Sequence, residues 1–442
     1  MEERLNKFSD EQFIQPRICA EVSQILLIAE QNLKFCSRPQ RKTLRNGGKM
    51  KQTLTIRTTW EEQPDRFPEF LQENADIFPM IKAGQKKENE SLVQEFTQKV
   101  QRKLRQKPKS KEARNALTQE LEQDFMDFLD REQILYLSSW MSPQLLDAFK
   151  RETKHFLDDV RAFDEELRPE QIWQTLRNYF IYAMIVDMQG VEQHAEDPIL
   201  AYSLLYPYTD NYIDDARITR QEKEHYNRMI AAKLKGESVL PRNPLEEKTC
   251  RLLDMILTAY IGPKQKKISE SLLQLLEAQT CSIRQQKTDV TEDQILEISI
   301  WKGSSSVLTD YLFATEDWKE YEETFYLKFG FLLQLVDDLQ DIEEDNAAGN
   351  HTLMTEADRH QCLERYVNRL LWFTWNEIRS FEPVNPALKG FVLKHCVEIS
   401  LLSAAMNQQF FANSYLRALE PYLPFSLDFL QKIKKQIPHG KK

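Results

Sequence analysis

Between about residue 115 and residue 435, apolar side chains recur at intervals of three and four, the spacing of one buried face of an α-helix. "LTQELEQDFMDFLDREQILYLSSWM" (117–141), "PQLLDAFKRETKHFLDDVRAF" (143–163) and "PEQIWQTLRNYFIYAMIVDMQGVEQ" (169–193) are examples. Prolines at 143, 169, 198, 241, 244, 263, 383, 386 and 421 fall at the ends of such stretches, where a helix tolerates them. Only "QTLTIRTTW" (52–60), rich in β-branched residues, reads as a strand. Residues 82–113, dense in Lys, Gln and Glu, read as a solvated helix with a linker around Pro108. The predicted organisation is an N-terminal arm over 1–49, an extension and charged linker over 50–114, one all-α bundle over 115–435 and a tail over 436–442. The arm carries 9 Lys/Arg against 6 Asp/Glu, and Met50 after "RKTLRNGGK" is an alternative start for the native protein.

Composition narrows the chemistry. In 442 residues there are only 11 glycines, and neither G-x-G-x-x-G nor G-x-x-x-x-G-K-[ST] occurs, so a Rossmann or P-loop nucleotide site has no support. A net charge of −10 argues against a nucleic-acid partner. The six cysteines, at 19, 36, 250, 281, 362 and 396, are scattered without a C-x-x-C, which fits free thiols in a reducing, cytoplasmic setting. The longest apolar run, "YFIYAMIV" (179–186), is far short of a membrane span, so no transmembrane segment is expected.

The chemistry-bearing signal is "LLQLVDDLQDIEED" (332–345), with six acidic side chains between Asp337 and Asp345 beside a leucine stripe. On a helix Asp337, Asp341 and Asp345 form one row with Asp338 alongside, and like charges so placed repel. Taken singly, the row is equally an exposed acidic face. A second row follows an aromatic run in "LLYPYTDNYIDDARI" (204–218), with Asp210 and Asp214 four apart and Asn211 and Asp215 beside them. Two facing carboxylate rows without a His or Cys cluster form an oxygen ligand set, suited to Mg²⁺ shared with a polyanion such as a diphosphate. Lys302, after apolar "ILEISIW" and before "GSSS", is a buried or pocket-edge ammonium that needs an anion. Arg217 either meets that anion or pairs with Asp214 or Asp210.

These motifs resemble those of the class I isoprenoid synthases, the helical enzymes that include trans-prenyl diphosphate synthases, squalene and phytoene synthases and class I terpene cyclases. "FGFLLQLVDDLQDIEED" (329–345) is similar to the second aspartate-rich helix, F-Q-x-x-D-D-x-x-D, with Leu333 in place of Phe. Asp210-Asn211-Tyr212-Ile213-Asp214 fits the looser D-x-x-x-D form of the first. "ISIWKGSSSVL" (298–308) resembles the K-T-x-x-L segment, and "GNHTLMTEA" (349–357) the K-x-T-x-P segment with His351 and Met354 substituted. The R-R-G that follows the first motif in elongating synthases is replaced by "ARITRQEKEHY" (216–226), so a second substrate, isopentenyl diphosphate, lacks its usual residues. The N-D-x-x-S-x-x-x-E of cyclases is absent as well.

The resemblance implies a bundle with opposed aspartate-rich helices around a central cavity. It implies an enzyme that ionises a prenyl diphosphate to a carbocation, for prenyl transfer or cyclisation. More than one Mg²⁺ ion would be held by Asp210, Asp214, Asp337 and Asp341, with Asp215, Asp338 and Asp345 as alternates or as residues behind the ligands. Lys302 and Arg217 would contact the diphosphate, Gln334 would be a polar wall residue, and a homodimer is allowed. Tyr179, Phe180, Tyr206, Tyr208 and Phe331 are candidates for an aromatic lining and equally for plain core. The competing expectation is a catalytically inactive homologue that binds or regulates.

Overall fold

In the computed structural model, residues 47–106, 110–132, 134, 143–191, 197–215, 217–282, 285 and 290–436 are described, and among them the chain is all-helical, without a strand. In chain order the helices are α1 (Gly47–Glu61), α2 (Phe70–Glu73), α3 (Ala83–Leu104), α4 (Lys111–Arg131), α5 (Pro143–Phe163), α6 (Pro169–Gln189), α7 (Asp197–Asp214), α8 (Arg220–Leu234) and α9 (Pro244–Ala259). There follow α10 (Gly262–Ser282), α11 (Glu292–Ala314), α12 (Glu320–Gln340), α13 (Ile342–Ala348), α14 (Leu353–Arg359), α15 (Leu363–Ser380), α16 (Pro386–Met406), α17 (Asn413–Leu419) and α18 (Leu427–Gln436). None of the described helices is long and apolar enough to cross a membrane. The expected arm lies outside the described residues up to 46, as does the tail from 437.

Two compact units emerge, the larger built from 47–69 and 147–400 and the smaller from 70–146 and 401–436. This departs from the expected boundary at 115. In the smaller unit, the charged stretch that reads as a solvated helix is α3, and it has a buried face. Lys86, Asn89, Val93, Phe96 and Val100 are buried at three- and four-residue spacing. Phe96 meets Phe128 of α4 with ring centroids 4.7 Å apart. Lys103 and Lys99 pair with buried Asp124 of α4 at 2.7 and 2.8 Å. The ammonium of Lys86 donates to the carbonyl of Glu420, and Asn89 donates to that of Pro424. Long stems of Lys and Gln cover apolar surface while their heads stay wet, which is why composition alone hides this face.

In the larger unit α11 is central: every residue from Ile298 to Ala314 is buried. Its start is fixed by a capping box, in which Thr291 accepts from the Gln294 backbone N–H and the Gln294 side chain accepts from that of Thr291. α12, α10, α6 and α1 pack around it, and α12 also meets α14 and α15. A helix buried all round cannot show the one-sided pattern of a surface helix, and the small, mixed run KGSSS in its middle reflects this.

The stretch 52–60, expected as a strand, is instead the second half of α1. Three of its four threonines, at 53, 55 and 59, return their hydroxyls to the carbonyls of Lys49, Lys51 and Thr55, satisfying within the helix side chains that disfavour it. Tertiary packing decides the outcome. Ile56 and Trp60, one turn apart, are buried, and Trp60 meets Phe331 of α12 and Phe373 of α15 edge to face at 5.8 and 6.0 Å. The Trp301 indole donates to Thr53 at 2.8 Å. Trp60→Ala is therefore expected to cost about 3–5 kcal/mol, the range for emptying a large aromatic site; an urea midpoint unchanged from wild type would show that α1 is not part of this core.

Candidate functional site

The site is built where α11 crosses α12. A Cβ placed on Gly303 would fall 2.8 Å from Gln334 Cβ and deeper still into the Gly330 carbonyl, and one on Gly330 would meet the Ser304 Cα at 2.8 Å. Only glycine at both positions lets the two backbones touch. Beyond the crossing, Ser304 donates to the Leu327 carbonyl at 2.6 Å and Ser299 to Asp338 at 3.3 Å. The consequence is that Lys302, beside Gly303, lies next to the acidic end of α12.

That end sorts its carboxylates. Asp338 turns inward: it accepts from Ser299 and, at 2.8 Å, from the Gln334 amide. Burial raises its pKa to about 7, against the opposing pull of Lys302 and with Asp345 and Asp337 pushing the same way as burial. Asp337 also accepts from Gln334, at 3.3 Å, and lines a cleft. Asp341 is half-buried at the C-cap, where the chain bends into α13, yet the i to i−4 bonds from Asp341 to Asp337 and from Asp345 to Asp341 continue the row. Asp345 is buried and accepts from Asn350.

The cleft is bounded by Ile181 of α6, by Gly303, Ser306 and Val307 of α11, and by Gly330, Leu333, Gln334 and Asp337 of α12. Its lining mixes apolar Ile181, Val307 and Leu333 with polar Ser306, Gln334 and Asp337, and it has about 20 Å³ of space, enough for about one water. Ser306 also faces α7: its hydroxyl is 2.8 Å from that of Tyr206, which donates to Tyr202 at 2.7 Å, and Tyr202 donates to the Ser306 carbonyl at 3.2 Å. Of the aromatic candidates, Tyr206 alone reaches a cleft residue by a hydrogen bond among the described contacts. Phe331 packs on Trp60 and Phe373, Tyr179 stacks on Phe156, Phe180 on Phe149, and Tyr208 bonds Asp164.

For the first motif the picture is partial. Asp210 and Asp214 are in helix α7, but their side chains lie outside the described residues. Asp210 is one turn beyond Tyr206, and Lys302 one turn before the Ser306 that Tyr206 contacts. Asn211 is half-buried and donates to Gln174 of α6 and to the Pro207 carbonyl, a structural use of the residue that departs from D-D. Arg217 is exposed and bound to Asp215, which it holds down at about 2, so neither is turned to the cleft. The pairing with Asp210 or Asp214 expected of Arg217 is thereby replaced. His351 is engaged with Glu356 and Arg359, and Thr352 caps α14. Among the described residues, no group of three or more His, Cys, Asp or Glu side chains is arranged to hold a metal ion.

Asp310, on α11, carries no sequence signal and is fully buried. The Asn178 amide donates to one of its oxygens at 3.4 Å and to Ser203 at 3.0 Å. The second oxygen of Asp310 and the carbonyl oxygen of Asn178 have no partner among the described residues. With an unpartnered oxygen and no cation bonded to it, Asp310 favours the neutral acid, and burial raises its pKa well above the ordinary carboxylate range. Comparison of the chain with protein-family models, curated proteins and solved structures finds no match in any of the three.

Two expectations follow. Gly303→Ala should destabilise the larger unit by about 1–3 kcal/mol or more through overpacking. Gly84→Ala in α3, with nothing within 4 Å of the added methyl, should gain about 0.5–1 kcal/mol; equal effects in thermal melts would refute the close crossing. For Asp310 the folded pKa lies above the unfolded one, so its stabilisation is complete below the unfolded value and is lost as pH rises toward the folded value. Asp310→Asn keeps a neutral side chain at this position without a titration and should exceed wild type by about 1–3 kcal/mol at neutral pH, with the gap closing toward pH about 4. Urea titrations at several pH values read this directly, and a gap independent of pH would mean that Asp310 is ionised in the fold.

Proposed function

We propose that the larger unit binds Mg²⁺ together with a prenyl diphosphate and ionises it to a carbocation and free diphosphate, as a class I isoprenoid synthase type of enzyme. The observation that carries the reading is Lys302. It is 9 % exposed, and among the described residues its ammonium makes no hydrogen bond and no ion pair. A cation kept at that depth with its donors unused is a site for an anion.

The carboxylates beside it suit Mg²⁺ in kind. This ion keeps several waters and takes one or two carboxylates plus substrate phosphate, so Asp337 and Asp341 make half of a site without a three-residue cluster. Asp210 and Asp214 would supply the other half. Asp338, turned inward, and Asp215, bound to Arg217, drop out of the ligand set, and Arg217 drops out of the diphosphate contacts. Mg²⁺ bound there supplies Lewis-acid neutralisation of the leaving diphosphate. Lys302 supplies a fixed positive charge on the same oxygens, and Gln334 holds Asp337 in place from inside.

The small cleft favours a second reading, a homologue that binds a diphosphate but does not turn over a long prenyl chain. The deciding experiment measures diphosphate release from C10, C15 and C20 allylic diphosphates, in Mg²⁺ and in EDTA. Metal-dependent release that falls about 100-fold or more in Lys302→Met and in Asp337→Asn is expected, the scale of removing an electrostatic stabiliser of a leaving group. No release from any substrate, with joint thermal stabilisation by Mg²⁺ and inorganic diphosphate, would establish the binding protein instead.

A further inference from the structure

The chain is acidic, yet residues 99–114, where α3 ends and α4 begins, hold eight Lys or Arg against one Glu. Two of the eight are spent inside the smaller unit: Lys99 pairs with Asp124 at 2.8 Å, and Lys103 with Asp124 and Glu120 at 2.7 and 3.1 Å. Lys107 and Lys109 lie outside the described residues. Four remain. Arg102 and Arg105 are exposed at the end of α3, where the helix dipole favours cations but their spacing of three makes them repel. Arg102 donates to the Gln98 carbonyl at 3.2 Å and pairs with no carboxylate among the described residues. Lys111 and Arg114 fall within the first four positions of α4, where the dipole favours anions, and Glu112 is the one acid in that turn. Helix stability therefore does not account for this concentration of positive charge.

Charge without aromatic surface selects the partner. From residue 97 to residue 124 there is no Phe, Tyr or Trp, so the stretch has no ring to stack on bases and none to form the centre of a protein interface. A nucleic acid would also meet the repulsion of a chain of net charge −10. A bilayer with anionic headgroups asks for local positive charge and nothing more. We propose that the α3–α4 end of the smaller unit, through Arg102, Arg105, Lys111 and Arg114, is a docking surface for an anionic lipid bilayer. The attachment is peripheral, since none of the described helices can cross a membrane, and salt releases it because charge alone holds it. It goes beyond the proposed reaction and does not depend on it.

The test is co-flotation of the full chain with vesicles of phosphatidylcholine alone and with vesicles in which about one-third of the lipid is phosphatidylserine. Wild type should bind the second and not the first at low salt, and should be released by about 0.5 M NaCl. Each Lys or Arg held near such a surface is worth about fivefold in affinity. Arg102→Gln, Arg105→Gln, Lys111→Gln and Arg114→Gln together should therefore weaken binding at least about tenfold. A control with Arg228→Gln, Lys235→Gln, Arg242→Gln and Lys266→Gln removes the same formal charge from exposed positions of the larger unit and should bind as wild type does. If the first quadruple variant does not fold, Arg102→Gln with Arg105→Gln, both at exposed positions, decides. Equal binding to the two vesicles, binding that salt leaves unchanged, no binding at all, or equal losses in the two quadruple variants would overturn the inference. A duplex oligonucleotide that binds through the same four residues more tightly than the vesicles do would overturn it in favour of a nucleic-acid partner. Because no turnover is read, a protein that releases no diphosphate can pass this test, and one that does release it can fail.

Discussion

Backbone contact between Gly303 and Gly330 is the constraint on which the larger unit depends. Two helices that touch this closely leave no layer of side chains between them, so their neighbours must settle their polar needs at short range. Ser304 does so with the Leu327 carbonyl, and Ser299 and Gln334 do so with Asp338. The same closeness sets one residue of α11, Lys302, against the acidic end of α12 without an intervening apolar shell. A larger residue at either glycine would move the ammonium and the carboxylates apart before it opened any cavity. The scarcity of glycine elsewhere in the chain makes these two positions informative.

Burial then sorts the ionisable groups by what each can find. Asp310 meets an amide and no cation, and the neutral acid is its low-energy form. Asp338 meets Lys302 and two neighbouring carboxylates, and it settles near neutrality rather than far above it. Lys302 keeps its donors in reserve. Charges whose partners lie at the surface, such as Arg217 with Asp215 or Lys51 with Glu320, contribute little to stability and nothing to the site. A chain of net charge −10 therefore carries its chemistry in a handful of buried groups.

The helical class was legible because apolar residues at three- and four-residue spacing need no partner to be read. The acidic end of α12 and the depth of Lys302 were legible for the same reason, from local sequence. Residues 52–60 were misread because β-branched threonine carries a local strand preference, and Trp60 against Phe331 and Phe373 outweighs it. The buried face of α3 was hidden by lysine and glutamine, whose stems pack like apolar side chains. Arg217 illustrates a finer limit: two residues of separation from Asp215 in a turn make a bidentate pair that no helical spacing rule contains. Asp310 and the Ser306–Tyr206–Tyr202 chain depend on which helices cross, and three helices must be placed before any one of those bonds is visible.

Lys302 makes a demand on α11 that the fold itself leaves open. It is 9 % exposed and, among the described residues, bonds to none of the carboxylates beside it, although Asp338 feels its charge. A purely structural lysine at that depth would be joined to an acceptor, since burying donors and acceptors separately costs more than pairing them. Ser306, one turn on, behaves differently: its hydroxyl lies 2.8 Å from that of Tyr206, so its needs are met within the fold. The contrast puts the open chemistry of α11 at the lysine rather than at the serine.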